Sequence, residues 1–227
     1  DYVEIADSDV LDGMDQLTIQ FYVMWDSYPF ETQAAGVSLL EKWETANANA
    51  QGSYSFYTHH DADQFTYMVQ TENGQFSTDI VLSTSMSLNN WHHVSGVYDG
   101  ENSYLYIDGE LKGQRETSGR IASTTHSLEL ANQNNSNTTF FGGRIDEISI
   151  WNISRSQEII QNSMYHVLFG NEPGLIGYWN FNEGEGTTLT DLSGNDNHGI
   201  IYGAEWSDEG APVMPSSIAA VEVGTAQ

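Results

Sequence analysis

The chain has no cysteine. Disulfide staples, thiolate catalysis and cysteine-ligated zinc are therefore excluded. Basic residues are also scarce: 6 Lys+Arg against 32 Asp+Glu leave a formal net charge of −26. Such a surface repels a nucleic-acid backbone, so neither DNA nor RNA is an expected partner. Anionic membranes are disfavoured for the same reason. No apolar run reaches membrane-spanning length, so no membrane insertion is expected. The sequence shows no HExxH pair and no nucleophile elbow. Helical periodicity is nearly missing too. Only residues 154–165 (SRSQEIIQNSMY) read as a helix, with Ser154 as cap and Gln157 completing a capping box.

What fills the chain instead is β-pattern. Hydrophobics make up 39% and aromatics 12% of the 227 residues, enough for a substantial core. The clearest stretch is NWHHVSGVYDGENSYLYIDGELKG, residues 90–113. Its Asp99-Gly100 and Asp108-Gly109 pairs sit between alternating apolar residues, which is a strong hairpin signal. LTIQFYVMW, residues 17–25, alternates in the same way, and further strands are expected at residues 37–43, 54–59, 65–70, 76–82 and 140–151. Shorter strands are expected at 127–131, 174–181, 187–192, 199–201 and 204–206. About a dozen short strands with turn chemistry between them, and one short helix, imply an all-β, two-sheet antiparallel jelly-roll sandwich. The 21 glycines fit those turns. Residues 1–206 read as one domain and 207–227 as a C-terminal linker or edge segment.

Several segments carry a family resemblance. WHHVSGVYDG with LYIDGELKG, and FFGGRIDEISIWNISRSQEI, resemble laminin-G-like domains of the concanavalin A-like lectin/glucanase superfamily. DYVEIADSDVLDGMDQLTIQFYV is similar to their opening strands. GLIGYWNFNEGEGTTLTDLSGNDNHGIIYGAEWS resembles the stretch that usually precedes those strands, so residues 174–206 would complete the domain in permuted order. The resemblance implies a concanavalin A-like sandwich with one concave sheet. It does not fix a ligand, because this architecture hosts many functions.

Catalysis finds little support. Retaining glucanases of the superfamily use an E-x-D-x-x-E strand, with carboxyl groups about 5–5.5 Å apart. The nearest match is Arg144-Ile145-Asp146-Glu147-Ile148. Arg144 stands where the first glutamate belongs, Ser149 where the last does, and Asp146 and Glu147 are neighbours that a regular strand points to opposite faces. A polysaccharide lyase could draw a base from Tyr57, Tyr67, His59 or His60, but no lyase motif surrounds them. His92-His93 are adjacent on a strand and cannot chelate one ion together. DLSGNDN at 191–197 lacks the sixth-position glycine of an EF-hand loop.

The expected function is a non-catalytic carbohydrate-binding or adhesion module of a larger secreted or cell-surface protein. Apolar sugar faces would stack on Trp43, Tyr57, His59 and Tyr67, with Asn132 and Asn134 supplying hydrogen bonds. The resemblance implies Ca²⁺, for which Asp1 and Asp146 are the expected ligands and Asp7, Asp9 and Asp12 a second group. The alternatives are a protein-interaction or spacer module without a sugar site, contacting other surface proteins, and an enzyme acting on polysaccharide. The chain starts in mid-strand pattern, as if cut from a longer precursor. Its acidity and lack of cysteine suit a bacterial protein, and the charge suits salty water such as a marine setting.

Overall fold

The computed structural model describes residues 1–28, 36–43, 52–59, 63–74, 76–81 (backbone only), 85–132 and 141–214. Fourteen strands are seen: β1 (Tyr2–Ile5), β2 (Leu17–Trp25), β3 (Val37–Trp43), β4 (Gly52–Thr58), β5 (Phe65–Gln70), β6 (Phe76–Val81), β7 (Trp91–Tyr98), β8 (Asn102–Ile107), β9 (Glu110–Glu116), β10 (Leu128–Leu130), β11 (Gly143–Trp151), β12 (Leu175–Trp179), β13 (Thr188–Leu189) and β14 (Gly199–Tyr202). One α-helix, α1 (Gln157–Ser163), completes the described elements.

The strands form two antiparallel sheets of a jelly-roll sandwich. One has eight strands in the order β13-β14-β1-β10-β3-β4-β5-β6, and the other has six in the order β12-β11-β2-β7-β8-β9. The two Asp-Gly turns work differently. Asp108 and Gly109 both adopt positive φ, 52° and 75°, the geometry that a two-residue hairpin loop needs. Asp99 instead accepts the Glu101 and Asn102 backbone N–H groups on its own Oδ1, at 2.9 and 2.7 Å.

The core lies between the sheets. Ile19, Phe21, Val23 and Trp25 of β2 meet Tyr54, Phe56, Phe65 and Tyr67 of β4 and β5. Phe21 meets Phe56 edge-to-face at 4.9 Å, and Trp25 meets Phe65 at 6.1 Å. Such pairs add about 0.5–1.5 kcal/mol each beyond their buried area. Gly96 of β7 is required here: a Cβ on it would lie 2.6 Å from both Phe56 and Tyr67.

The C-terminal part packs onto the N-terminal part. β12 pairs with β11, and β14 pairs with β1 from Tyr2↔Tyr202 to Ile5↔Gly199. Met214 forms a parallel bridge with His166. All nine residues of β2 are buried, because the six-stranded sheet is covered on its second face as well. Tyr22 Oη donates to Met164 O, Thr18 Oγ1 to Ile153 O, and α1 lies beside the Gly109 turn through Gln157 and Gln161.

Two local expectations are corrected. The helix cap is Ser156, whose Oγ accepts Ile159 N–H, not Ser154. Ser154 is held by Gln16, and the Arg155 N–H donates to Thr18 Oγ1, so the chain remains extended until Ser156. Residues 204–206 form no strand. Trp206 instead donates its Nε1–H to Gly186 O.

Candidate functional site

Strand alternation builds a polar outer face on the eight-stranded sheet. The ladders place Glu4 opposite Glu129, Glu129 opposite Glu41, and Glu41 opposite Ser55, so three carboxylates follow one another across β1, β10 and β3. Directly opposed side chains have Cβ atoms about 4.5–5.5 Å apart, and like charges there repel. Ser38 Oγ donates to Glu41, and Asn132 Nδ2 donates to Glu129 Oε2 at 2.8 Å. Burial is the main reason that the Glu129 carboxyl lies above the usual range. The Asn132 hydrogen bond opposes the rise and the Glu4 charge adds to it. The adjacent row runs Ser38, Tyr57, Thr66. The Tyr57 and His59 rings meet edge-to-face at 5.0 Å, both half-buried. Thr66 Oγ1 is buried without a hydrogen-bond partner among the described residues.

The expected sugar residues divide. Tyr57, His59 and Asn132 belong to this outer face or its margin. Tyr67 points the other way, fully buried and stacked on Phe56 at 4.8 Å. Trp43 is nearly buried with its ring over the Gly52 backbone, where a Cβ would meet it at 2.0 Å. Asn134 lies outside the described residues.

The expected calcium ligands lie on different sheets. Asp1 heads β1 in the eight-stranded sheet, whereas Asp146 lies on β11 in the other. Asp146 gives Oδ1 to Glu147 N–H and Oδ2 to Ala211 N–H, each at 2.8 Å. Asp7 and Asp12 share a cation that the chain itself supplies. The fully buried Lys42 Nζ donates to Asp7 at 2.5 Å, lies 3.3 Å from Asp12, and donates to His126 O. Asp9 is exposed on a 3-10 turn (Asp9–Leu11). Among the described residues, no group of three His, Asp or Glu side chains is placed to hold a metal. Asp191, in the EF-hand-like stretch, spends its carboxylate on the Tyr178, Ser193 and Asn197 N–H groups and so ties β12 to the loop after β13.

A second polar cluster lies between the six-stranded sheet and the segment that covers it. Gln20, His93, Ser149 and Tyr178 face Arg155 and His166 across a cavity of about 20 Å³. That is room for one water and not for a sugar ring. Glu147 sits at a β-bulge with φ +52°, so it departs from regular alternation, and Tyr178 Oη donates to it at 2.6 Å. Burial pushes its carboxyl up to about 7, against the Tyr178 hydrogen bond and with help from Asp146. Arg155 lies over the Trp151 ring at 4.1 Å and donates to Gln20 Oε1 and Ser163 Oγ. Burial lowers it to about 10 and lowers His93 to about 3, so the imidazole is neutral and accepts from Gln20 Nε2. His92 faces elsewhere, paired with Asp108 at 2.8 Å. This network fastens the covering segment to the sheet.

A laminin G family model of the concanavalin A-like lectin/glucanases superfamily matches residues 1–161. The chain belongs to the laminin G family of that superfamily. Comparison with curated proteins returns no match. Among solved structures, a candidate carbohydrate-binding protein from Bacteroides ovatus is 15% identical with a TM-score of 0.68, over 88% of this chain and 55% of that one. The binding domain of Paraclostridial Mosquitocidal Protein 1 is 13% identical with a TM-score of 0.57, over 72% of this chain and 40% of that one. The Botulinum neurotoxin serotype G binding domain is 16% identical with a TM-score of 0.55, over 71% of this chain and 39% of that one. The chain thus spans about half the length of these proteins or less, and at such identities the likeness is one of fold.

In this laminin G-like sandwich, residue-by-residue reading missed the carboxylate row and the Glu147 cluster. The row's members lie on three strands far apart in sequence, and only the ladder brings them together. Glu147 owes its setting to a bulge that no local motif announces. One signal was readable. Phe65, Tyr67 and Val69 share a parity of apolar residues, which assigns Tyr67 to the core and Thr66 to the outer face.

Proposed function

We propose that this laminin G-like chain is a non-catalytic carbohydrate-binding module of a larger secreted or surface protein. The observation that carries the reading is the outer face of the eight-stranded sheet. There a half-buried aromatic pair, Tyr57 and His59, stands on the same face as the buried hydrogen-bonding groups Ser38, Glu41, Thr66, Glu129 and Asn132. Sugars are held by this combination, with apolar ring faces on aromatics and hydroxyls on carboxylates and amides. The candidate carbohydrate-binding protein from Bacteroides ovatus lends support through its shared fold. Among the described residues, no helix is long and apolar enough to cross a membrane. We assign calcium no residue and no step in binding.

A glycan array with calcium and with EGTA tests this. Binding to a defined set of glycans is expected. Equal binding in both conditions is expected, a loss in EGTA would bring calcium into the account, and a silent array in both would sink the reading and favour a protein-interaction module. Release of reducing sugar or of unsaturated product from a bound polysaccharide would overturn the non-catalytic assignment.

A further inference from the structure

The open end of the same outer face carries an aromatic pair that lies far apart in the chain. Tyr2 and Tyr202 are register partners of β1 and β14, and their rings stack 4.7 Å apart with 19° between planes. Tyr202 is 40% exposed and Ile200, its neighbour on the same face, 52%. Two residues along β1, Glu4 stands opposite Ile200 on one side and Glu129 on the other. Glu4, Tyr202 and Glu129 each act on the Tyr2 hydroxyl, raising it further after burial has done so, which puts all four groups within electrostatic reach.

A second observation points to a ligand here. Asn132 is 7% exposed and commits its Nδ2 to Glu129, while its Oδ1 has no hydrogen-bond partner among the described residues. A buried carbonyl that meets no donor loses its hydration without return. A hydroxyl donor arriving at Glu129 would find Asn132 Oδ1 beside it.

No lysine or arginine is paired into the patch, and His126 lies within electrostatic reach of Glu129. The chain has six basic residues, and each is placed elsewhere. Lys42 is held by Asp7 and Asp12, Lys112 by Glu110, Arg120 by Gly13 O and Arg144 by Asp26. Arg155 lies over Trp151, and Arg115 pairs with Ser103 in the six-stranded sheet.

We propose that Tyr2, Tyr202, Glu4, Glu129 and Asn132 form a subsite for an uncharged glycan. The apolar face of a pyranose rests against the tyrosine pair, and its hydroxyls donate to the two carboxylates and to Asn132 Oδ1. Uronate- and sulfate-bearing glycans are rejected, because their anions would face Glu4 and Glu129 with no lysine or arginine to receive them. This inference rests on the carbohydrate-binding reading and gives it a place and a sugar class.

The test compares wild type with Tyr202→Ala, Tyr202→Phe and Glu129→Gln. Binding is measured on neutral glucans, mannans and galactans and on alginate and carrageenan, with melting temperatures recorded for each protein. Wild type is expected to bind a neutral glycan and neither acidic polysaccharide. Tyr202→Ala should weaken binding by about tenfold, the scale of one aromatic stacking contact, while Tyr202→Phe, which keeps the ring, stays close to wild type. Glu129→Gln should also weaken binding while its melting temperature holds or rises, a combination that a merely structural role would not give. Wild-type binding that Tyr202→Ala and Glu129→Gln leave unchanged would overturn the subsite but not the module. Preference for alginate or carrageenan would overturn the sugar class. No binding by wild type to any glycan would bring down the underlying reading instead.

Discussion

Replacing Glu147 by glutamine is expected to stabilise the protein at alkaline pH and to do nothing at acid pH. Gln keeps the length of the side chain and an oxygen to accept the Tyr178 hydroxyl, so the substitution isolates the charge. Burial pushes the carboxyl up to about 7 in the folded state, whereas in the unfolded chain it titrates at the ordinary glutamate value. The raised value fixes the sign. Below the unfolded value both states hold the proton and Glu147 carries no penalty. As pH rises through the folded value of about 7, the folded state must accept a desolvated charge that the unfolded state carries freely, and stability falls. At about 1.36 kcal/mol per pH unit, the full penalty is about 2–3 kcal/mol, given that a partly accessible site relaxes. For a chain of this size, that corresponds to roughly 5–10 °C in melting temperature. The assay is thermal or urea unfolding of wild type and Glu147→Gln at pH 4 and pH 8.5. Taking the difference between the two proteins at each pH cancels the large background titration of an acidic chain. A gain of the same size at both values, or a loss at pH 8.5, would refute the premise that Glu147 is a buried, strained charge.

Three further outcomes follow from the packing. Lys42→Ala leaves Asp7 and Asp12 facing each other without their shared ammonium, and should cost on the order of 3 kcal/mol in urea unfolding, the scale of a broken buried ion pair. A loss below about 1 kcal/mol would show that water replaces Lys42 there. Gly96→Ala drives a Cβ to within 2.6 Å of Phe56 and Tyr67 and should lower stability by about 1–3 kcal/mol through overpacking, read by differential scanning calorimetry. Glu129→Gln removes one of two like charges directly opposed across β1 and β10, and should stabilise by about 0.2–1 kcal/mol at pH 8. Since burial holds Glu129 above the ordinary range, that gain should shrink as pH falls and the carboxyl takes up its proton.

Local chemistry made most of the strands legible. Trp91–Tyr98 lies where its alternation predicts, and Asp108-Gly109 takes the positive φ values that its composition favours. The helix start slipped by two residues because Ser154 and Ser156 are equally good caps in isolation, and the choice between them was made by Gln16, just before β2, and Thr18 on it. Of the five expected sugar residues that are described, three lie on or beside the outer face; Tyr67 does not, because strand membership was legible but side-chain parity was not applied to it. The Tyr2–Tyr202 pair was beyond reach for a different reason. Nothing near Tyr2 indicates which residue of the C-terminal stretch is its ladder partner.

That dependence on register makes the site a test of topology as well as of binding. A side-chain period of two means that slipping β14 by one residue against β1 would bring Ile201 opposite Tyr2 and turn Tyr202 to the inner face. The actual register is held from the buried side. Ile5 lies opposite Gly199, where a Cβ would come within 2.8 Å of Val3, and Ile201 is packed against the core. The apolar side of the ladder therefore determines which polar and aromatic groups meet on the other side. Enlarging Gly199 should consequently disturb the Tyr2–Tyr202 stack across the thickness of the sheet. Gly199→Val is expected to lower both the melting temperature and neutral-glycan binding, although residue 199 touches no ligand. Gly199→Val that melts lower but binds as wild type would show that the stack forms independently of this register, and would separate the aromatic pair from the strand pairing that is held to create it.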